Sequence, residues 1–355
     1  GMVCLLRKLK QPWFAVLFGA NVFTFSGFIL YHFTHMQAVR VVSHLPWIIL
    51  ATHILFTTQS AQSLRRWTLA LIALVASQLL SGYPQYVLFT LLATGIYGVF
   101  YCRRQHFWPR AGVLVTALLL ALCCAGVQVL PPFDLIHYAA RQGVEDFWKE
   151  GSLHPVNLLQ WVSPYWFANG ISYGIPEWEY TLYAGAVPMV LFLFGYTRRT
   201  TQTNTKTVGR YGLALALVAV LLALGSYGGV YRLVAALPIM GAFRCPTRHL
   251  VLFHFAVALM SAFTLSRLAR PAGTSTPYKR IIALVITAWL MVPLILFLKS
   301  NEGLGLQEAF SGSAARLLVG PALLSVAVGL VVGTFRYPKV GIAALIVVAT
   351  IDTTI

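Results

Sequence analysis

Apolar residues in this chain come in long runs, one after another from end to end, separated by short polar connections. Eleven runs can be marked, near residues 12–31, 38–57, 65–81, 84–101, 111–130, 180–197, 211–229, 249–268, 281–299, 316–335 and 338–355. A helix of about 17 to 21 residues spans the roughly 30 Å hydrocarbon core of a bilayer. Backbone N–H and C=O groups find no partners in lipid, so such runs are expected to be α-helices. The second run is broken in its first half by Arg40, His44 and Pro46. The pattern predicts an all-α polytopic transmembrane bundle of about eleven helices, built as a single transmembrane domain over residues 1–355.

Composition agrees. Of 355 residues, 58% are apolar and 10% charged, against about 25% charged in an ordinary soluble domain. The net charge of +17 raises the question of nucleic acid. The basic residues form short clusters between apolar runs, not a face or a tail, so no nucleic-acid partner is expected. Cys4, Cys102, Cys123, Cys124 and Cys245 include no CxxC pair, and they read as packing residues with no disulfide or metal role. Arg7, Lys8 and Lys10 precede an apolar run too long for a signal peptide, with no small-residue cleavage site after it.

The charges orient the bundle. Alternate connections hold eighteen of the 26 Lys and Arg, among them Arg7, Lys8, Lys10, Arg65, Arg66, Arg336 and Lys339. All nine acidic residues lie in the other set of connections or at helix ends on that side. By the positive-inside rule the basic side is cytoplasmic, placing the N-terminus inside and the C-terminus outside. A multi-pass protein of the bacterial cytoplasmic membrane is the resulting expectation.

Most connections are short, but the outer stretch from residue 131 to 179 is far longer than an ordinary structureless connector. It holds six of the nine acids. The apolar spacing over Leu153–Val162 predicts an amphipathic helix lying in the interface, with Trp148, Trp161, Tyr165 and Trp166 as aromatic anchors.

Three groups could carry chemistry. Among the acids Asp134, Glu145, Asp146, Glu150, Glu177 and Glu179, a carboxylate beside an embedded pocket can act as general base. Solvated loop charges, or partners for Arg141 and Lys149, are the ordinary alternative. Glu179 stands out because it is expected at the start of a helix, where the interface desolvates it. In the run Phe243-Arg244-Cys245-Pro246-Thr247-Arg248-His249, Pro246 would mark a first helical turn, with Arg248 on it and Arg244 just before. Two arginines at a helix N-terminus suit a lipid phosphate, while arginines snorkelling to ordinary lipid are the competing reading. His32 and His35, with His44 further on, have an HxxH spacing that could share a divalent metal, yet no third ligand lies near in sequence, so no metal residue is assigned. Gly82-Tyr83-Pro84-Gln85 reads as a tight outer turn. Phosphate-binding loop, GxGxxG, HExxH and GxSxG signatures are absent, leaving ATP-driven transport and dinucleotide redox chemistry without support.

These stretches, taken in order, resemble the YfhO family of bacterial membrane proteins, relatives of the GT-C-fold glycosyltransferases. The resembling pieces are Phe25-Ser26-Gly27-Phe28 with His32, His35 and Met36; Leu45-Pro46-Trp47; Gly82–Gln85; Arg141 with Ser152–Pro155; Leu158-Leu159 through Pro164; Glu179 with Tyr183-Ala184-Gly185 and Pro188; and Phe243–Arg248. The resemblance implies a GT-C-like architecture and a polyprenyl-phosphate-linked sugar donor. It also implies transfer to a glycan or glycolipid acceptor on the outer face, in cell-envelope assembly. The family's catalytic acid carries onto no position of this chain, so the candidates rest on location and chemistry: Glu179, Glu145 and Asp146 as catalytic carboxylates, and Arg244, Arg248 and Arg141 as lipid-phosphate ligands. GT-C enzymes usually carry a key acid in the first outer loop, whereas His32–Val39 holds none. The chain is therefore expected to be a fragment lacking N-terminal helices and a C-terminal part, and its activity alone is left open. A lipid-linked glycan flippase and a non-catalytic subunit of a glycosylation system remain the alternatives.

Overall fold

A computed structural model describes residues 1–101, 107–136, 147–168, 179–197, 203–237, 243–269, 278–301 and 309–354. The architecture is helical, and among the described residues the β-structure amounts to an isolated bridge between Phe167 and Phe310. The helices are α1 (Met2–Lys8), α2 (Trp13–Thr24), α3 (Gly27–Tyr31), α4 (Met36–Val42), α5 (Leu45–Thr57), α6 (Ala61–Leu80), α7 (Pro84–Tyr101) and α8 (Phe107–Cys124). There follow α9 (Gly126–Ile136), α10 (Ala186–Thr197), α11 (Thr203–Ala223), α12 (Val230–Ala235), α13 (Leu250–Leu268), α14 (Tyr278–Ser300), α15 (Ala314–Gly333) and α16 (Pro338–Thr354).

Six stretches are long and apolar enough to cross a membrane: Trp13–Thr34, Met36–Thr57, Phe107–Cys124, Thr205–Ala223, Pro246–Leu268 and Ala315–Gly333. The protein is thus a multi-pass helical membrane protein. Helix α13 is its axis. Every residue from Leu250 to Ser266 is buried, as expected of a helix that is apolar all round and enclosed by others. It packs against α2, α10 and α11. Small residues let these helices close up: a Cβ on Gly19 would fall 2.7 Å from Ala262 Cβ and 3.1 Å from the Ala258 carbonyl oxygen. A second apolar cluster joins α5, α6 and α8 through Ile48, Leu55, Leu71, Val75, Leu114 and Ala121. The outer faces of the bundle are apolar and exposed, as at Leu17, Leu119, Leu217, Leu294 and Val347, which is the lipid-facing pattern.

Several predicted runs are broken helices. The first splits at Phe25 and Ser26, where the Ser26 hydroxyl donates to the Phe23 carbonyl at 3.0 Å. The second splits at Ser43 and His44, and Pro46 lies in the first turn of α5. The fifth splits at Ala125. The sixth run, read as helical from 180, turns helical only at Ala186. Its first residues are extended because other groups take their backbone: the Gln160 amide donates to Tyr180 O at 2.9 Å, and Leu182 N donates to Gln160 Oε1 at 2.7 Å. Gly185, at φ 92°, makes the bend into α10. Buried Asp352 of α16 then accepts from Ala186 N and, at 2.8 Å, from the Tyr183 hydroxyl, so α16 caps the start of α10.

The stretch read as an interfacial amphipathic helix forms a 3-10 helix, Pro155–Trp161. Its polar residues Asn157 and Gln160 are fully buried, Trp161 stacks on Phe253 of α13, and Trp166 donates to Leu317 O at 2.8 Å. This helix faces protein, because Gln160 is needed to satisfy the extended segment beside it.

Candidate functional site

Five separate stretches meet at one end of α13. The break between α2 and α3 steers α3 against the extended segment, so closely that a Cβ on Gly27 would fall 2.6 Å from Thr181 Cγ2. That places His32 beside Glu179. The start of α7 brings in Tyr83, Gln85 and Tyr86. Residues 150–151 approach from the long connection, and Arg244–Arg248 forms the entry to α13, with Pro246 opening a 3-10 turn as its sequence position implied.

At the centre is an ion pair. Arg248 Nη2 donates to Glu179 Oε1 at 2.6 Å, and its Nε lies 3.0 Å from both carboxylate oxygens. The side chains are 12% and 6% exposed. Arg248 Nη1 donates to Gln85 Oε1 at 2.8 Å, and Gln85 Nε2 donates to the Arg244 carbonyl at 2.8 Å. His32 Nδ1 donates to the Phe28 carbonyl at 2.8 Å, leaving Nε2 pointing at Glu179 Oε2 from 3.6 Å. The Tyr83 ring lies under the guanidinium at 5.6 Å.

Arg244 is different. Its side chain is 48% exposed and pairs with Glu150 Oε1 at 3.3 Å, itself 58% exposed. Its position is set by tight backbone: Cys245 is left-handed at φ 60°, and Cys245 N donates to Glu150 O at 2.7 Å. Burial above all pushes the Cys245 thiol up, to about 11, which leaves it an inert packing group.

Burial works to raise the Glu179 carboxyl, but the approach of His32 and the hydrogen bonds and charge of Arg248 outweigh it and hold the group at about 2. A carboxyl depressed in the folded state stabilises the fold fully above its ordinary value of 4.5, and that contribution is lost as pH falls through about 2. Thermal unfolding in detergent should therefore show no loss attributable to this group from pH 8 down to 5, and a progressive loss below about 4.5. A Glu179→Gln variant should lack that acidic limb; an identical limb in the variant would mean the pair does not form.

Of the residues singled out from sequence, Glu179, Arg248 and Arg244 come together here. Glu179 is not at the start of α10 as expected; it lies seven residues ahead of Ala186, just before the irregular segment 180–185. Arg141, Glu145 and Asp146 lie outside the described residues. His32 does not pair with His35 around a metal: its ring faces Glu179, and His35 Nδ1 lies 3.2 Å from Thr34 Oγ1. Among the described residues no group of three or more His, Cys, Asp or Glu is placed to hold a metal ion. Sequence reasoning underrated Gln85, read as a turn residue, and passed over Asp352, although an acid inside an apolar run signals a buried partner.

Fold and site together define a multi-pass helical membrane protein with a buried ionic network, edged by an exposed Arg–Glu pair, at one end of its central helix. No family model, no curated protein and no solved structure matches the chain.

Proposed function

We propose that this protein is a GT-C-like glycosyltransferase, taking its sugar from a polyprenyl-phosphate donor on the outer face of the bacterial cytoplasmic membrane. The observation that carries this reading is the Arg244–Glu150 pair, an exposed cation and carboxylate held 3.3 Å apart at the mouth of a rigid, buried ionic network. The charge asymmetry of the sequence supports a non-cytoplasmic position for that end.

Roles divide by exposure. Arg244 takes the lipid phosphate and stabilises the charge that develops on it as the glycosidic bond to phosphate breaks. All three guanidinium nitrogens of Arg248 bond to Glu179 or Gln85, so its part is to fix the entry to α13. Glu179, held ionised by Arg248, is a poor proton acceptor and acts as a positioning residue. Proton removal from the acceptor hydroxyl then falls to Glu150 or to Glu145 and Asp146 a few residues before it. The acceptor oxygen bonds to the anomeric carbon as the phosphate leaves, and a single displacement inverts that carbon.

The test is sugar transfer in proteoliposomes loaded with a polyprenyl-phosphate sugar. Arg244→Ala should reduce transfer roughly 100-fold, as for loss of one oxyanion donor, with its melting temperature unchanged. Transfer at the wild-type rate would sink the assignment. The commitment of Glu179 to Arg248 favours one second reading, a non-catalytic subunit that holds the lipid-linked sugar for a partner. Donor binding by wild type without any transfer would select it, and donor movement across the bilayer without an acceptor would select a flippase.

A further inference from the structure

The opposite end of α13 carries a cavity that the reading above does not use. Its volume is about 540 Å³, within the range of small-ligand sites, and it is lined by Arg7, Lys10, Gln11, Pro12, Phe14, Ser266 and Ala269. It lies between the elbow joining α1 to α2 and the last turn of α13. From Arg248 to Ser266 the helix rises about 27 Å, close to the hydrocarbon thickness of a bilayer. Cavity and ionic network thus lie at opposite ends of a helix about as long as the hydrocarbon core is thick.

The lining is basic, with no acid among these residues. Arg7 is fixed: Nη1 donates to the Gln11 carbonyl at 2.8 Å, and the guanidinium lies 4.6 Å from the Trp13 ring centre. Arg7 is exposed, and its other guanidinium nitrogens have no protein acceptor among the described residues. Lys10 ends α1 in a left-handed conformation, φ 61°, with Gln11 N donating to Leu6 O at 3.0 Å. This is the helix-terminating motif in which glycine is the ordinary residue. A lysine there carries backbone strain that a glycine would not, and its ammonium is what glycine would lack. Gln11 itself is buried, with its amide donating to Leu9 O at 3.1 Å.

We infer that this cavity is a binding site for a phosphate-bearing anion, held between Arg7 and Lys10 at the headgroup level of the leaflet opposite the ionic network. The two sources of that chemistry are an anionic phospholipid headgroup and a free phosphate.

The purified full chain in neutral detergent would be titrated with vesicles of phosphatidylglycerol, with vesicles of phosphatidylcholine, and with inorganic phosphate alone. Wild type should bind phosphatidylglycerol in preference to phosphatidylcholine, and each of Arg7→Gln and Lys10→Gly should weaken that binding about fivefold. Lys10→Gly keeps the test clear of misfolding, because it relieves the left-handed strain and should melt at or above the wild-type temperature. Arg336→Gln with Lys339→Gln, removing basic residues elsewhere, should leave binding unchanged. If inorganic phosphate binds and is weakened by the same two variants while vesicles show no preference, the site holds a free anion. Lys10→Gly and Arg7→Gln binding all three probes as wild type does would overturn the proposal, as would an equal loss in the Arg336/Lys339 variant.

Discussion

Arg248→Ala is expected to lower stability by about 3–5 kcal/mol, the usual result of stripping one member from a buried ion pair. The loss is large because Arg248 has two partners. Without it Glu179 keeps a buried carboxylate whose nearest other polar neighbour is the His32 ring, 3.6 Å away, and Gln85 Oε1 loses its donor at 2.8 Å. An orphaned buried acceptor costs about 1–3 kcal/mol by itself. Neutralising both charges together, in Arg248→Met with Glu179→Gln, should recover much of the loss, since the desolvation of two ions is then removed along with their attraction. Thermal unfolding of the two single variants and the double variant in one detergent closes the cycle. If Arg248→Ala melts with wild type, the pair is solvated and the buried network described above is wrong.

How far the sequence reaches can be judged from the residues around that pair. Apolar runs marked helical segments, since a run that must sit in lipid can hardly form anything else, but among the described residues six stretches, against the eleven expected, are long and apolar enough to cross a membrane. Their breaks were less visible. Pro46 announced one, but the turn at Ser26 and the late start of α10 at Ala186 depend on partners from far along the chain: Thr181, Gln160 and Asp352. No local pattern encodes a carboxylate 166 residues away capping a helix. For the site, unusual residue types at helix ends were informative. Glu179, Arg244 and Arg248 were each selected as charges at an interface, and all three lie in one cluster. Their roles were not legible. That Glu179 is neutralised by Arg248 while Arg244 stays open follows from which guanidinium the fold buries, and the spacing of Arg244 and Arg248 leaves that undecided.

Gly151→Ala is expected to be nearly as damaging as Arg248→Ala, and to act on the mouth of the site instead of its centre. Two costs add. Gly151 sits at φ 75°, where a Cβ costs about 1–2 kcal/mol. That Cβ would also meet Cys245 Sγ at 2.7 Å and Cys245 Cα at 2.8 Å, and overpacking against backbone costs about 1–3 kcal/mol more. Relief by movement is blocked on both sides. Cys245 is already left-handed, and the Thr247 hydroxyl and amide both donate to the Gly151 carbonyl, at 2.9 and 3.3 Å. The chain from Glu150 to Gly151 must therefore swing away from the chain from Arg244 to Thr247, which separates the exposed Arg244–Glu150 pair without altering either residue. A sugar-transfer assay alongside thermal unfolding distinguishes this from general damage. Ala substitution at Gly95, where a Cβ meets nothing within 4 Å, is the matched control and should leave both unchanged. If Gly151→Ala melts lower yet transfers sugar at the wild-type rate per folded molecule, the Arg244–Glu150 spacing is irrelevant to the chemistry. A parallel fall in transfer beyond the loss of folded protein ties the reaction to the geometry that this glycine permits.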